Sequence, residues 1–287
     1  MKQQVVLITG ATAGIGRRTA LDLARAGHRV FATGRREAAL ASLKAEAAGT
    51  SLETLVLDVT RAESIEAARA AILAATDGHG VDALVNNAGY GLIGPLEELT
   101  DAQVRAQFET NVFGLMAVTR AFLPAMRARG AGRVINVSSV GGRMTFPLMG
   151  AYNATKYAVE SLSDALRVEL KPFGVHVSLI EPGSIRTEFA EVSVGTVRVA
   201  PGSPYAPVLS RADDIKKQFE DMAVGPEVIS RVIRRAIEDR APQARYVAPF
   251  SGRVMLWFMS TMPTWLTDAV MGRAMGLTAA RLRPSAA

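Results

Sequence analysis

Val5-Val6-Leu7-Ile8-Thr9-Gly10-Ala11-Thr12-Ala13-Gly14-Ile15-Gly16 decides the fold. Residues 5–8 form a short apolar run rich in β-branched side chains, the pattern of a strand buried on both faces, and helical spacing begins near Ile15. Strand, glycine turn and helix in that order make a phosphate site of the kind that holds a dinucleotide. Glycine permits the tight turn and lets the backbone approach a pyrophosphate, while the helix N-terminus adds unpaired N–H groups and partial positive charge. The spacing is Gly-x-x-x-Gly-x-Gly, not the common Gly-x-Gly-x-x-Gly, and a turn that merely packs a helix tightly on a strand looks similar. The turn needs companions before it carries chemistry.

Working outward, strands are expected near 4–9, 29–33, 53–57, 82–85, 133–137 and 175–181. Helices are expected at 15–27, 36–48, 61–75, 101–110 with 112–129, 152–171 and 226–239. This alternation predicts an α/β fold with a doubly wound parallel sheet. Gly27 and Gly174 fall where helices end in left-handed backbone, and Thr60 with Glu63 reads as a capping box. At 287 residues the chain fits one large domain over 1–287 better than two.

Hydrophobic residues make up 49% and charged residues 21%, an ordinary globular balance, while the net charge of +6 invites a nucleic-acid reading. The basic residues are scattered through amphipathic helices, as Arg231, Arg234 and Arg235 are, with no basic arm or aromatic-interleaved stripe. No nucleic-acid partner is therefore expected, and a phosphorylated cofactor suffices as the acidic one. Without cysteine there is no disulfide, thiolate metal site or cysteine nucleophile, which suits a reducing cytoplasm. His28, His79 and His176 form no metal constellation, so no metal is expected. Nor is a signal peptide, since the first strand begins almost at once.

A more specific signal is Tyr152-x-x-x-Lys156, with Ser139 thirteen residues before the tyrosine. Apolar residues and alanines fall at helical spacing over 152–169, so Tyr152 and Lys156 lie one turn apart on one face and their heads can meet at one substrate. A phenol titrates near 10, so holding its anion at neutral pH costs about 4 kcal/mol. An ammonium ~5 Å away returns on the order of 3 kcal/mol at an effective dielectric of about 20, and a positive nicotinamide ring could supply the remainder. For a lone pair of this spacing, a surface tyrosine above a solvated lysine is the plain alternative.

Asp58, the run Asn86-Asn87-Ala88-Gly89, Asn111, Ser138-Ser139, and Pro182-Gly183 followed by Thr187 complete a set whose order and spacing resemble the classical short-chain dehydrogenase/reductases over 4–189. The resemblance implies a Rossmann fold and a nicotinamide-dependent carbonyl/alcohol oxidoreductase using a Ser-Tyr-Lys-Asn mechanism. Tyr152 would be the acid for carbonyl reduction and the base for alcohol oxidation, and Ser139 would hold the substrate oxygen. Ser138 competes with Ser139, but the thirteen-residue separation favours Ser139. Lys156 would lower the tyrosine pKa and grip the nicotinamide ribose. Asn111 would kink its helix and hold a water between the lysine and solvent. For the cofactor the resemblance nominates Gly10, Thr12, Gly14, Ile15 and Gly16 in the turn, and Asp58 with Val59 near adenine. It adds Asn87, Ala88 and Gly89 behind the adenosine ribose, Pro182, Gly183 and Thr187 around the nicotinamide amide and phosphate, and Tyr152 and Lys156 themselves. It further implies a core over 1–189, a substrate lid over 190–224, where Gly, Pro, Val and Ser mix, and C-terminal helices with an apolar extension over 225–287.

Charge argues the choice of cofactor. An NAD site usually places a carboxylate at the end of the second strand to hold the ribose 2′-hydroxyl. Here Phe31-Ala32-Thr33-Gly34-Arg35-Arg36 puts Gly34 at that place, and Arg35 suits a 2′-phosphate. NADP(H) is favoured; Ala13, where some NADP-preferring relatives carry a basic residue, leaves NAD(H) open. Asn111-Val112-Phe113-Gly114, residues 95–100 and Thr155-Lys156-Tyr157-Ala158-Val159-Glu160 are most similar to the steroid and retinol dehydrogenase branch, implying a small lipophilic ketone, aldehyde or alcohol as substrate. A 3-oxoacyl-thioester reductase would use the same residues. A catalytically silent NADP-binding regulatory protein is the alternative of another class, but such relatives lose the tyrosine, the lysine or the turn, and all are present here.

Val112, Phe113, Leu115, Met116, Val118, Phe122, Leu123 and Met126 make one segment apolar over more than one face. The sheet would cover one side and, as the resemblance implies, a partner subunit the other, in a homodimer or homotetramer. Residues 246–280 carry Val254-Met255-Leu256-Trp257-Phe258-Met259, Trp265-Leu266 and Val270-Met271, interrupted by Pro263, Asp268 and Arg273 and too short to span a bilayer. A pocket wall with subunit contact is favoured. The alternative is an interfacial membrane patch flanked by Arg253, Arg273, Arg281 and Arg283, giving a cytoplasmic protein with peripheral membrane contact through residues 250–280.

Overall fold

Short apolar strands alternate with amphipathic helices along the chain, and the computed structural model, which describes residues 3–211, 214, 217, 221 and 223–283, assembles them in three layers. The strands are β1 (Val5–Ile8), β2 (Arg29–Gly34), β3 (Leu52–Val56), β4 (Ala83–Asn86), β5 (Gly132–Val137), β6 (Val175–Pro182) and β7 (Arg245–Ala248). All pair in parallel, in the order β3-β2-β1-β4-β5-β6-β7. Because side chains alternate along a strand, Val6 and Ile8 point to one face and Leu7 to the other. Val6, Ile8, Val30, Ala32, Val85 and Ile135 pack under α1 (Gly14–Arg25) and α9 (Glu227–Glu238), which contribute Leu23, Ile229 and Ile233. Leu7, Phe31, Leu84 and Val134 pack under α3 (Ala62–Ala75) and α5 (Leu115–Arg129), which contribute Ile72, Val118, Phe122 and Met126. Helices on both faces of one parallel sheet give the doubly wound Rossmann arrangement expected from the sequence.

Three local readings change. The sheet has a seventh strand: β7 is four residues long, pairs with β6 through Leu179 opposite Arg245, and is too short to declare itself by pattern. No capping box forms at Thr60, because α3 begins one residue later with Arg61 as its N-cap; the Thr60 N–H and hydroxyl both donate to Asp58 Oδ1, at 3.0 and 2.8 Å, and Glu63 pairs with Arg61. A capping box does occur, between Thr100 and Gln103 at the start of α4 (Asp101–Phe108). The break expected between helices at 110–112 is a single π-helical turn, Glu109–Gly114, joining α4 to α5 without interruption. Gly27 and Gly174 do adopt positive φ, +90° and +65°.

Of the segment apolar on several faces, Val118, Phe122 and Met126 go to the sheet side, Leu115 meets Val159 and Leu179, and Phe113 is left exposed. Beyond β6 the chain forms α7 (Glu188–Val194) and α8 (Ala206–Leu209); residues 212, 213, 215, 216, 218–220 and 222 of the expected lid lie outside the described residues. Past β7 come α10 (Phe250–Thr261), α11 (Thr264–Ala274) and α12 (Ala279–Leu282). Among the described residues no helix is long and apolar enough to cross a membrane.

Candidate active site

In an open parallel sheet the crevice opens at the carboxyl ends of the strands where the winding reverses, here between β1 and β4. Gly10 follows β1, Asn87 follows β4, Ser139 lies two residues past β5 and Gly183 follows β6, so residues far apart in sequence leave the sheet along one edge.

The glycines of the first turn are demanded by the backbone. Gly10 and Gly14 have φ of +65° and +52°, and a Cβ on Gly10 would lie 2.8 Å from Ala88 Cα. A Cβ on Gly16 would lie 2.4 Å from the Gly10 carbonyl oxygen. The loop after β4 is bolted to this turn. Asn87 Nδ2 donates to the carbonyls of Thr9 and Gly10 at 3.1 and 3.0 Å, and the Thr9 hydroxyl accepts from the N–H groups of Asn87 and Ala88, both at 3.0 Å. No side chain caps α1 and its first turn holds no acid, so its N-terminal N–H groups are open to an anion; Ile15 packs inward from that turn. Thr187, N-cap of α7, closes over the turn, 3.1 Å from where a Gly14 Cβ would be. A cradle that excludes side chains and offers an uncapped helix end fits a dinucleotide pyrophosphate.

At the end of β2, Gly34 is buried under Thr12, and Arg35 and Arg36 are exposed beside it. Asp58 is raised by burial but more strongly lowered by its two bonds from Thr60 and by Arg35 and Arg61, so it stays below the usual carboxylate range. Val59 is buried, its carbonyl 2.9 Å from where a Gly114 Cβ would sit, which ties this loop to the π-helical turn.

Ser139, Tyr152, Lys156 and Asn111 come together on the edge formed by β5, the π-helical turn and α6 (Gly150–Leu170). Tyr152 is buried, and burial drives its phenol up to about 12 against the hydrogen bond with Ser139. The Ser139 hydroxyl is half-buried and accepts the Gly141 N–H at 3.0 Å. Ser138 is turned inward toward α6, its buried hydroxyl facing Glu160. Lys156 Nζ donates to the Val137 carbonyl at 2.8 Å and lies 5.8 Å from the centre of the Tyr152 ring. Burial lowers its ammonium to about 8, which Glu160 opposes. Desolvation is the largest influence on the phenol here, and the Lys156 ammonium donates to the Val137 carbonyl. Asn111 lies in the π-helical turn; its Nδ2 donates to the Tyr90 carbonyl and Thr155 Oγ1, and its Oδ1 accepts from the Tyr90 N–H at 3.2 Å. A Cβ on Gly89 would come within 3.1 Å of Asn111 Oδ1 and 3.9 Å of Lys156 Nζ, so Gly89 keeps a channel between them.

Sequence reasoning passed over several neighbours. Tyr90, Gln107 and Thr155 hold Asn111 or its carbonyl partner in place, and only Thr155, adjacent to Lys156, had a positional hint. Phe189, at the boundary drawn between core and lid, belongs to α7 and stacks on the Tyr152 ring at 5.5 Å and 56°. Behind Ser139, Val140 and Met144 pack against Leu256, Met255, Met259 and Met271, so the C-terminal helices support one wall. Pro182 ends β6 and the Gly183 N–H donates to the Ala248 carbonyl at 2.8 Å, which anchors this loop to the seventh strand. His28 is buried against Glu238 at 3.0 Å, and among the described residues no group of three acids or histidines could hold a metal.

Residues 4–196 match the family model described as short chain dehydrogenase. The chain is 34% identical over 275 residues to 3-ketodihydrosphingosine reductase of Bacteroides thetaiotaomicron, covering 96% of this chain and 97% of that one. It is 40% identical over 268 residues to human 17-beta-hydroxysteroid dehydrogenase type 1, covering 86% and 77% of the two. Among solved structures it resembles the closed form of a serine dehydrogenase complexed with NADP+ (TM-score 0.75, 31% identity, 86% and 95% covered). A short-chain dehydrogenase/reductase from Burkholderia phymatum in complex with NAD is also similar (TM-score 0.80, 26% identity, 94% and 95% covered). The family match across two thirds of the chain and relatives 34 and 40% identical over most of its length make this protein a member of the short-chain dehydrogenase family, an oxidoreductase.

Proposed function

We propose that the chain is an NADP(H)-dependent reductase of a lipophilic ketone or aldehyde, with Tyr152 as proton donor. The observation that carries this reading is the convergence of the buried Tyr152 phenol, the Ser139 hydroxyl beside it and the Lys156 ammonium on one edge of the site, with burial holding the phenol protonated. At neutral pH the buried phenol is protonated in this arrangement, and so carries the proton that carbonyl reduction requires. Ser139 orients the substrate oxygen toward Tyr152, and Lys156 stays charged at neutral pH, where its ammonium can stabilise negative charge at that oxygen. Asn111 is held by Tyr90 and Thr155 in the position where it can anchor a water beside Lys156. When bound, the nicotinamide cofactor supplies the hydride.

The glycine cradle, the α1 N-terminus and the 87–89 loop would hold that cofactor, with Asp58 and Val59 near adenine and Pro182, Gly183 and Thr187 framing the nicotinamide end. Exposed Arg35 beside side-chain-free Gly34 supports a 2′-phosphate and hence NADP(H), and one structural relative holds NADP+ while another holds NAD. The two relatives' names, a ketosphingoid reductase and a hydroxysteroid dehydrogenase, support a bulky lipophilic substrate. The Phe189, Val140, Met144 and Leu256 wall supports the same class. A homo-oligomer fits the exposed apolar side chains Phe113, Tyr157 and Val168 on the π-helical turn and α6. NADPH oxidation should be screened against steroid ketones, long-chain 3-keto lipids, retinal, aliphatic aldehydes and acyl thioesters. Turnover restricted to short polar carbonyls, or none with any of them, would overturn the proposal.

A further inference from the structure

The helix α10 has two unlike faces. Its inner side, through Met255, Leu256 and Met259, packs on Val140 and Met144 beside Ser139. Its outer side presents Phe250, Val254, Trp257 and Phe258, spaced as one helical stripe and exposed at 74, 49, 68 and 43%. After the Pro263 break, the first turn of α11 presents Trp265, 70% exposed, and Val270 follows. The chain has two tryptophans, and both stand in solvent here, although tryptophan is on average highly buried. Residues 250–283 carry Arg253, Arg273, Arg281 and Arg283 against the single acid Asp268, a net charge of 4 − 1 = +3. All four arginines are exposed.

We infer that α10 and α11 form an interfacial surface that seats on an anionic lipid bilayer, with Phe250, Trp257, Phe258 and Trp265 inserted among the acyl chains and Arg253 and Arg273 at the headgroups. A short amphipathic helix with tryptophan on its apolar face and arginine at its rim lies in the bilayer plane, and α10 with twelve residues is of that kind. Charge decides against a second copy as the occupant. An isologous contact would bring a +3 surface against itself with one acid per copy to answer it, whereas an anionic leaflet neutralises it. The stripe also backs directly onto the wall beside Ser139, so a lipophilic substrate could reach the site from the lipid phase.

Because each of these two helices carries one exposed tryptophan, emission reports contact of either helix without a label and without turnover, so the outcome is independent of the proposed reaction. The full-length protein is mixed with phosphatidylglycerol vesicles, with phosphatidylcholine vesicles, and with neither. Expected are a blue-shifted emission and co-sedimentation with phosphatidylglycerol, about a hundredfold tighter than with phosphatidylcholine at low salt and weakened by added salt. Phe250→Gln with Trp257→Gln, at exposed positions that leave the core intact, should abolish sedimentation while Trp265 remains as a reporter. No emission shift and no sedimentation with phosphatidylglycerol would overturn the inference. So would a blue shift that depends on protein concentration alone and is lost with dissociation of an oligomer in the same double variant, since a second copy would then cover the surface.

Discussion

Gly34 lies directly beneath Thr12: a Cβ on Gly34 would stand 2.5 Å from the Thr12 methyl group. A side chain at this point, including the carboxylate that an NAD site places there, would collide with Thr12, and the next residue is Arg35, its guanidinium in solvent. Arg35→Ala should weaken NADPH roughly 10-fold or somewhat more, the worth of one exposed charge-assisted bond, and leave NADH within about twofold. Cofactor KM values for both nucleotides check this; equal losses would remove the contact to a 2′-phosphate.

Tyr152→Phe should reduce turnover by about a hundredfold or more while cofactor affinity changes little, because only the proton donor is lost from a ring still packed against Phe189. Ser139→Ala should cost turnover on a similar scale, whereas Ser138→Ala, which deletes a buried hydroxyl that faces Glu160, should leave turnover nearly unchanged. Single-turnover rates for the three variants decide the ranking, and a worse Ser138→Ala would exchange the two serines.

Lys156 titrates at about 8, below the ordinary lysine value, because burial disfavours its charge. Its ammonium is present below that pH and lost above it. The kcat/KM for NADPH, which reports groups of the free enzyme, should therefore fall as pH rises through about 8. Lys156→Arg, charged throughout, should abolish this limb even at reduced activity; an unmoved limb would assign it to another group.

Glu160, one turn beyond Lys156, is pushed up to about 7 by burial, although the Ser138 hydroxyl and Arg245, 3.2 Å away, oppose the shift. A carboxyl whose folded pKa exceeds its unfolded one stabilises below the unfolded value, near 4.5, and this contribution disappears as pH rises through about 7. By pH 8 the loss amounts to about 3 kcal/mol. Glu160→Gln should gain stability relative to the parent between pH 5 and 8, read as a pH-dependent difference in denaturation midpoint. It should also move the alkaline limb of Lys156 to lower pH, since Glu160 supports that ammonium. A constant difference across pH would show that Glu160 does not titrate in this range.

Much of this was legible locally. Residues 5–16 declare strand, turn and helix because burial, left-handed backbone and close approach restrict those positions to apolar residues and glycine. Tyr152 and Lys156 meet because a helix repeats every 3.6 residues, which needs no knowledge of the rest of the chain. β7 was missed because four residues beside β6 are defined by their partner and not by their own pattern. The capping box is absent at Thr60 because the helix begins one residue later, with Arg61 as its N-cap, so Thr60 and Glu63 do not stand at N-cap and N3.

The sequence by itself determined the order of all but the last strand, the glycine cradle and the candidate residues for the chemistry, since these follow from spacing and residue type. Only the tertiary structure decided their electrostatic state. Burial lifts the Tyr152 phenol and lowers the Lys156 ammonium, and the Val137 carbonyl, brought in by β5, accepts a hydrogen bond from that ammonium. It also decided that Phe189 lies on Tyr152 and that Trp257 and Trp265 face outward. Desolvation and contact depend on what the folded chain places around a side chain, and local spacing carries no record of that.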